Sequence, residues 1–347
     1  MINTYKGKKI WISGVTGFKG SWLAKWLLKL GATIQGFALT PNTLPNHFEL
    51  LNLEKDIQFI DGDVRNYDSV RQCIQDFKPD MIFHLAAQPI VRQSYSNPHY
   101  TFDTNIMGTI NILEVCKKIK EIQTIIIITS DKVYENIGES TQFKEHDKLG
   151  GYDPYSASKA CAEIIVSSYR DSFFNNTGTL LSSVRAGNVI GGGDWSDDRI
   201  IPDIIRSITN KEKLEIRNPY AIRPWQHVLD CLYGYLLLNK MMLNGKEFYA
   251  SAWNFGPSEE SEITVENVIK QVDTMWPVEY FVKKSDIIET PVLKLNSEKA
   301  KTFLGWNPLF DIKKTINLTI DWYKSYYEHN IILTEDQIDY YMENCIL

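Results

Sequence analysis

Nowhere in the 347 residues is there an uninterrupted apolar run of about 18 residues, the length a membrane-crossing helix needs. The start of the chain, Met1 to Lys9, is short, polar and basic, and lacks the apolar stretch of a signal peptide. Both absences predict a soluble protein with no membrane partner. Cysteine is scarce: the five residues, at 73, 116, 161, 231 and 345, are odd in number and scattered, with no CxxC pair and no Cys/His spacing suited to a metal. They read as reduced thiols in a cytoplasm, and no metal is expected. A basic excess is also missing. With 37 Lys and Arg against 43 Asp and Glu, the net charge of −6 argues against a nucleic-acid partner. A local basic site for one diphosphate is still compatible with that balance. Internal repeats, low-complexity tracts and flexible linkers are absent too.

What the chain does contain is enough apolar content, 44%, to bury a large core, and its length suits one large α/β domain or two closely joined ones. Up to about residue 185, short β-branched runs alternate with amphipathic helical stretches, the pattern of a parallel sheet flanked by helices. The expected strands are Lys9–Ser13, Thr33–Phe37, Ile57–Ile60, Met81–His84, Thr124–Ile128 and Leu180–Arg185. The expected helices are Gly20–Leu30, Tyr67–Phe77, Asn105–Lys118 and Pro154–Ser172. Thr124–Ile128 has no polar face, which places it inside the sheet, covered on both sides. Beyond Gly187 the alternation loosens among glycines and prolines, with helices near Pro202–Thr209, Leu229–Leu243, Val265–Thr274 and Ile312–Tyr326. The fold class is therefore α/β, a Rossmann-type doubly wound parallel sheet over residues 1–186, with a smaller mixed lobe over 187–347, some segments interleaving. A ligand cleft between them is expected.

The first motif is Gly14-Val-Thr16-Gly17-Phe18-Lys19-Gly20, between the first strand and the first helix. Glycines there permit a tight turn and let the backbone approach a pyrophosphate, whose charge faces the helix N-terminus. The GxxGxxG spacing is the form used by extended short-chain dehydrogenases. The acidic ribose ligand usual at the end of the second strand is missing, since Thr33–Leu39 runs on into Thr40. NAD cannot be preferred over NADP from that residue, although no arginine stands there for a 2′-phosphate either. After the third strand come Asp61-Gly62-Asp63-Val64, and the fourth ends in His84-Leu85-Ala86-Ala87-Gln88, whose small residues let the backbone lie against a cofactor. His84 itself reads as a packed strand residue.

Tyr155 and Lys159 form a YxxxK pair on one helix face, where the ammonium can lower the phenol's pKa and hold a nicotinamide ribose. Tyr5/Lys9 and Tyr280/Lys284 share the spacing but have no comparable context. Only Tyr155/Lys159 has a glycine triplet upstream, Ser130 at the tip of the fifth strand, and a helical pattern after it. Ser130 is followed by Asp131 and Lys132, an acid and a base adjacent in sequence. On a regular strand they would face opposite ways, so a shared role requires that the chain has entered a turn by Asp131. Otherwise they are a solvated loop pair. Lysine's ordinary pKa is about 10.4, so Lys132 acts as a base only if neighbouring positive charge and desolvation lower it; remaining charged, it would stabilise an enolate instead.

These residues, together with Gly14–Trp22, Thr129–Lys132, Gly150–Tyr155, Arg185–Trp195 and Arg223–Val228, resemble the CDP-glucose 4,6-dehydratases, and the likeness runs from the first strand to about residue 257. Its most specific part is Asp-Lys at 131–132, where dTDP-glucose 4,6-dehydratases carry Asp-Glu. Val133 departs from the Cys of many relatives. The resemblance implies an NAD-dependent dehydration of a nucleotide hexose, with C4 oxidation, elimination across C5 and C6, and reduction at C6, and with NAD tightly held and regenerated. It assigns catalysis to Ser130, Asp131, Lys132, Tyr155 and Lys159. The cofactor would lie on Gly14, Thr16, Gly17, Phe18, Lys19, Gly20, Asp63 (to the adenine amino group), Val64, Leu85, Ala86, Ala87, Gln88 and Asn105. The nucleotide sugar would lie on Asn188, Asp194, Trp195, Arg199, Arg223 and His227. Arg199 has a second reading, pairing with Asp197 and Asp198, and Trp195 and Trp225 have a second reading as core. The resemblance further implies a homodimer built on a four-helix bundle from Asn105–Lys118 and Pro154–Ser172, with larger assemblies such as a tetramer open, and a product destined for a cell-surface glycan. Other nucleotides (GDP, UDP, dTDP) and a 4-epimerase on the same fold are the alternatives, and the Asp131–Lys132 pair tells against the epimerase.

Overall fold

The computed structural model describes residues 1–136, 142–283 and 293–345. Among them, seven strands form one parallel sheet: β1 (Lys9–Ser13), β2 (Thr33–Ala38), β3 (Gln58–Asp61), β4 (Met81–His84), β5 (Thr124–Ile128), β6 (Leu180–Ala186) and a seventh from the distal half of the chain. Helices α1 (Phe18–Lys29), α2 (Tyr67–Phe77), α3 (Gly108–Cys116) and α4 (Pro154–Tyr169) connect them. β5 reads Thr-Ile-Ile-Ile-Ile and is buried throughout because it pairs with β4 on one side and β6 on the other, under helices on both faces.

Two expected helices begin or end in wide turns. A π-helical turn over Asp103–Met107 precedes α3, and another, Arg170–Phe174, follows α4. The first leaves Asn105 turned inward, where its amide bonds the backbone of Gln88 and the hydroxyl of Ser158.

The second lobe holds β7 (Asn188–Ile190), parallel to β8 (Ile222–His227), with α5 (Val228–Leu243) following directly. The seventh strand of the main sheet is β9 (Ala252–Phe255), parallel to β6. A boundary at residue 187 is therefore not clean: the chain leaves for the second lobe and returns to close the first sheet. β10 (Glu262–Thr264) then runs antiparallel to β8. Helices α6 (Ile312–His329) and α7 (Thr334–Asn344) finish the lobe. The buried Asp230 carboxylate accepts from the backbone N–H groups of Leu309 and Phe310 and from the Tyr341 hydroxyl, so it ties α5 to this C-terminal part.

Three histidines sit wholly inside. His47 bonds Ser21 and Thr334, His84 bonds Ser13 and Thr109, and His227 accepts from the N–H of Leu229 as the cap of α5. Burial lowers each to about 3, so all three are neutral in the fold. The unfolded chain protonates them near pH 6.5. It therefore binds more protons than the folded chain below that value, and stability is lost as the pH falls from 6.5 toward 3. Asp230, raised to about 7 by burial, acts in the opposite sense, as does Asp131. Three neutral histidines outweigh these two carboxyls, so the unfolded chain takes up protons on balance and stability falls as the pH drops below about 6. Urea midpoints measured between pH 7 and pH 5 should drop; a midpoint that holds or rises contradicts this sign.

Candidate active site

The catalytic candidates converge at the carboxyl ends of β1, β4 and β5, facing the second lobe. In the phosphate loop, Gly14 has φ +71°, and a Cβ there would lie 2.6 Å from the backbone nitrogen of Ala86. A Cβ on Gly20 would come within 2.1 Å of the Gly14 carbonyl oxygen. Gly17 by contrast is exposed, and it caps α1 without any side-chain hydrogen bond to the first-turn amides. Those amides, with the helix dipole behind them, fit a pyrophosphate. The Lys19 ammonium adds positive charge felt at Lys159 and Asp131. Phe18 reaches toward Gly191 of the second lobe, and the Thr16 hydroxyl donates to the carbonyl of Leu39.

The backbone at Leu85, Ala86 and Ala87 is partly exposed along the cleft. The Ser13 hydroxyl holds it by accepting the N–H groups of Leu85 and Ala86, while Gln88 is buried and anchored to Asn105. Asn105 thus serves this loop from beneath. Val64 is also buried, against Gly108. The Asp63 carboxylate is bound by Arg65, at 2.9 Å from Nε and 2.6 Å from Nη2.

α4 is built to place Tyr155 and Lys159. Asp153 caps it, accepting from the N–H of Ser156 at 2.9 Å, and Pro154 opens the first turn, so the tyrosine stands at the helix start and the lysine one turn later. Lys159 Nζ donates to the Ile128 carbonyl at 3.1 Å. Burial, then the charge of Lys19, lowers the Lys159 ammonium to about 8, with Glu163 opposing.

β5 ends at Ile128, and after Thr129 and Ser130 the chain makes a single 3-10 turn over Asp131–Val133. The Ser130 hydroxyl accepts from the N–H of Lys132 at 3.2 Å and donates to Asp131 Oδ1 at 2.9 Å, and it stands close enough to the Tyr155 phenol to favour its charged form. The chain has therefore left the strand before Asp131, the geometry that a shared role for 131 and 132 requires. Burial raises the Tyr155 phenol above its ordinary value, against the Ser130 hydrogen bond and the charge of Arg199. Burial also raises the Asp131 carboxyl, against Lys132, Ser130, Arg223 and Lys19. Asp131 Oδ2 is buried without a hydrogen-bond partner among the described residues. It lies beside Gly187, where a Cβ would stand 3.4 Å from it and collide with Pro224 at 2.8 Å.

From the second lobe, Asn188 lies opposite Trp225 in the β7–β8 register, half-buried, and Arg223 stands on β8 with its charge reaching Asp131. Arg199 pairs with Asp194 at 3.2 Å; Asp198 instead takes Arg92 and Arg217, and Asp197 takes Arg206. The alternative expected for Arg199, pairing with Asp197 and Asp198, is not what the fold adopts. Trp195 is buried edge-on against Trp322, Tyr323 and Tyr326, and Trp225 is buried with its indole donating to Ile263. His227 is fully buried between Trp22 and Phe310 and caps α5, which gives it a packing role in place of the substrate contact expected for it. The decoy pair Tyr5/Lys9 is spent on the carbonyls of Leu236 and Phe77, and Lys284 lies outside the described residues.

Sequence reasoning passed over Glu163 and gave Arg185, Thr129 and Tyr134 no role of their own, although the four form a buried polar network directly behind the turn. The spacing of Glu163, one turn past Lys159 on the same helix, was the available signal. Among the described residues, no group of three or more His, Cys, Asp or Glu side chains stands close enough to hold a metal, and no helix is long and apolar enough to cross a membrane.

Residues 11–319 match the family described as GDP-mannose 4,6 dehydratase. The chain is 42% identical over 350 residues to a CDP-glucose 4,6-dehydratase of Salmonella typhimurium, covering 98% of both proteins. It is 25% identical to a CDP-paratose 2-epimerase of Salmonella typhi, over 91% of this chain and 99% of that one. Among solved structures, the fold superposes on dTDP-glucose 4,6-dehydratase from Bacillus anthracis in complex with NAD, with a TM-score of 0.77 and 24% identity, over 93% of this chain and 98% of that one. It also superposes on Thermus thermophilus UDP-glucose 4-epimerase in complex with NAD, with a TM-score of 0.79 and 22% identity, over 91% and 99%. At these identities the two structures establish the fold.

Proposed function

The chain belongs to the GDP-mannose 4,6 dehydratase family, and from that premise we propose that it is an NAD-dependent hydro-lyase converting CDP-glucose to CDP-4-keto-6-deoxyglucose and water. The observation that carries this reading is the 3-10 turn that sets Asp131 and Lys132 directly behind Ser130, beside Tyr155. Oxidation at C4 alone needs only Ser130, Tyr155 and Lys159; elimination also needs an acid and a base.

NAD, held by the Gly14–Gly20 loop, the Leu85–Gln88 backbone and Lys159, would supply the hydride acceptor for C4 and the hydride donor for C6. Tyr155 takes the proton of the 4-hydroxyl, and Ser130 donates a hydrogen bond to the forming ketone. Lys159, with its pKa near 8, carries its proton at neutral pH and lends positive charge to the phenolate. The ketone acidifies C5–H. Lys132 removes that proton, and Asp131 gives one to the departing 6-hydroxyl; a carboxyl raised by burial is suited to arriving protonated. Arg223 and Arg199 bind the diphosphate, Asp194 aims Arg199, and Asn188 contacts the sugar or its phosphate. Trp195 and His227 support this wall from behind.

The enzyme works in the cytoplasm with its cysteines reduced and its NAD retained. It acts as a homodimer through a four-helix bundle formed by residues 105–118 and 154–172 of each copy. The apolar side chains of Met107 and Ile164, 44% and 58% exposed, support that arrangement. The test is incubation of the protein with NAD and, separately, CDP-, dTDP-, UDP- and GDP-glucose and GDP-mannose, following loss of one water by mass. Product from CDP-glucose alone supports the proposal. Loss of water only with another nucleotide discards the CDP assignment, and inversion at C4 without loss of water discards the roles of Asp131 and Lys132.

A further inference from the structure

Glu163 and Arg185 form a buried ion pair, 3% and 3% exposed, with Arg185 Nη2 2.7 Å from Glu163 Oε2. One arm of each partner reaches the segment that carries the site, Glu163 to Thr129 and Arg185 to Tyr134. Glu163 accepts from the Thr129 hydroxyl at 2.5 Å and from the Ser183 hydroxyl at 2.7 Å. Arg185 Nη1 donates to the Tyr134 hydroxyl at 2.7 Å and to the carbonyl of Glu145, and its guanidinium also lies over the Tyr134 ring. The Tyr134 hydroxyl in turn donates to Asn254 Oδ1 at 2.7 Å. Thr129 and Tyr134 bracket the segment that carries Ser130, Asp131 and Lys132, while Glu163 is on α4, one turn past Lys159.

Desolvating two charges offsets most of their attraction, so a buried pair of this kind contributes geometry more than stability. Burial alone would raise the Glu163 carboxyl, but Arg185, Thr129 and Ser183 outweigh it and hold it below its ordinary value, so the pair stays charged.

We propose that Glu163 and Arg185 are the positioning pair of this site: acting through Thr129 and Tyr134, they clamp both ends of the Ser130–Val133 turn and fix its acid and base against the helix that carries Tyr155 and Lys159. The inference rests on the dehydratase reading for its kinetic consequence, although the clamp itself can be measured without substrate.

The experiment uses the full-length protein and its Thr129→Val, Thr129→Ser and Tyr134→Phe variants. Tyr134→Phe keeps the ring stacked on Phe143 at 4.8 Å and loses only the hydroxyl link, so it is a variant expected to fold. Without substrate, amide hydrogen exchange over residues 129–134 accelerates in Thr129→Val and Tyr134→Phe and returns to the wild-type rate in Thr129→Ser. With CDP-glucose and NAD, kcat falls by about tenfold to hundredfold in the first two at little cost in KM, the loss expected for a misplaced catalytic group. Reduced nicotinamide then builds up during turnover, because C4 oxidation outpaces the misaligned elimination. Thr129→Ser restores the rate. Unchanged exchange in both variants, an equal fall of oxidation and elimination, or no rescue by serine overturns the proposal. If the wild type does not dehydrate CDP-glucose, the functional reading fails, and the exchange measurement still decides the clamp.

Discussion

Tyr155→Phe lowers kcat by about a thousandfold, within the range of a lost general acid–base group, and leaves the fold intact. The ring is buried in the α4 first turn, so phenylalanine keeps the packing and removes only the proton carrier. The Ser130 hydroxyl is itself engaged with Asp131. Because oxidation at C4 comes first, this variant forms neither product nor reduced nicotinamide in a single turnover. Rapid-quench mass analysis with absorbance detection checks it; rapid reduction of the cofactor by Tyr155→Phe would remove the tyrosine from the role.

Asp131→Asn and Lys132→Met lose dehydration by about a hundredfold to ten-thousandfold, as expected for a missing acid or base, yet both still oxidise C4. They differ at C5. Without Lys132 the C5 proton stays in place, so no solvent deuterium enters at that carbon. Without a proton on residue 131, C5 still exchanges while the 6-hydroxyl is kept. Asn at 131 is near-isosteric and still accepts from Ser130, so the turn survives. NMR of substrate recovered from deuterium oxide reads both. Exchange at C5 in Lys132→Met would assign the base elsewhere.

Much of this architecture was legible in the sequence because local chemistry and global position agree there. β5 has no polar face and lies mid-sheet; the glycine triplet falls between β1 and α1; Asp153-Pro154 caps the helix that bears Tyr155 and Lys159. The return of Ala252–Phe255 to the main sheet was not legible. Four residues joining a sheet beside a strand nearly 70 positions earlier leave no periodic signal. Charge pairing was equally hidden: Arg199 faces Asp194 because the loop turns at Asp198, with φ +56°, and that turn gives Asp198 to Arg92 and Arg217. His227 follows a motif whose arginine faces the cleft, but it caps α5 from inside the core. Apart from its spacing from Lys159, nothing in the sequence singles out Glu163, whose partners Thr129, Ser183 and Arg185 come from distant parts of the chain.

The central claim is an internal oxidation, elimination and reduction carried by the Ser130–Lys132 turn and α4. It is tested most directly with CDP-glucose deuterated at C4, in excess over the protein and without added reductant. The account predicts loss of one water, with the deuterium found in the new C6 methyl group. Deuterium retained at C4, or released to solvent while water is lost, would contradict it.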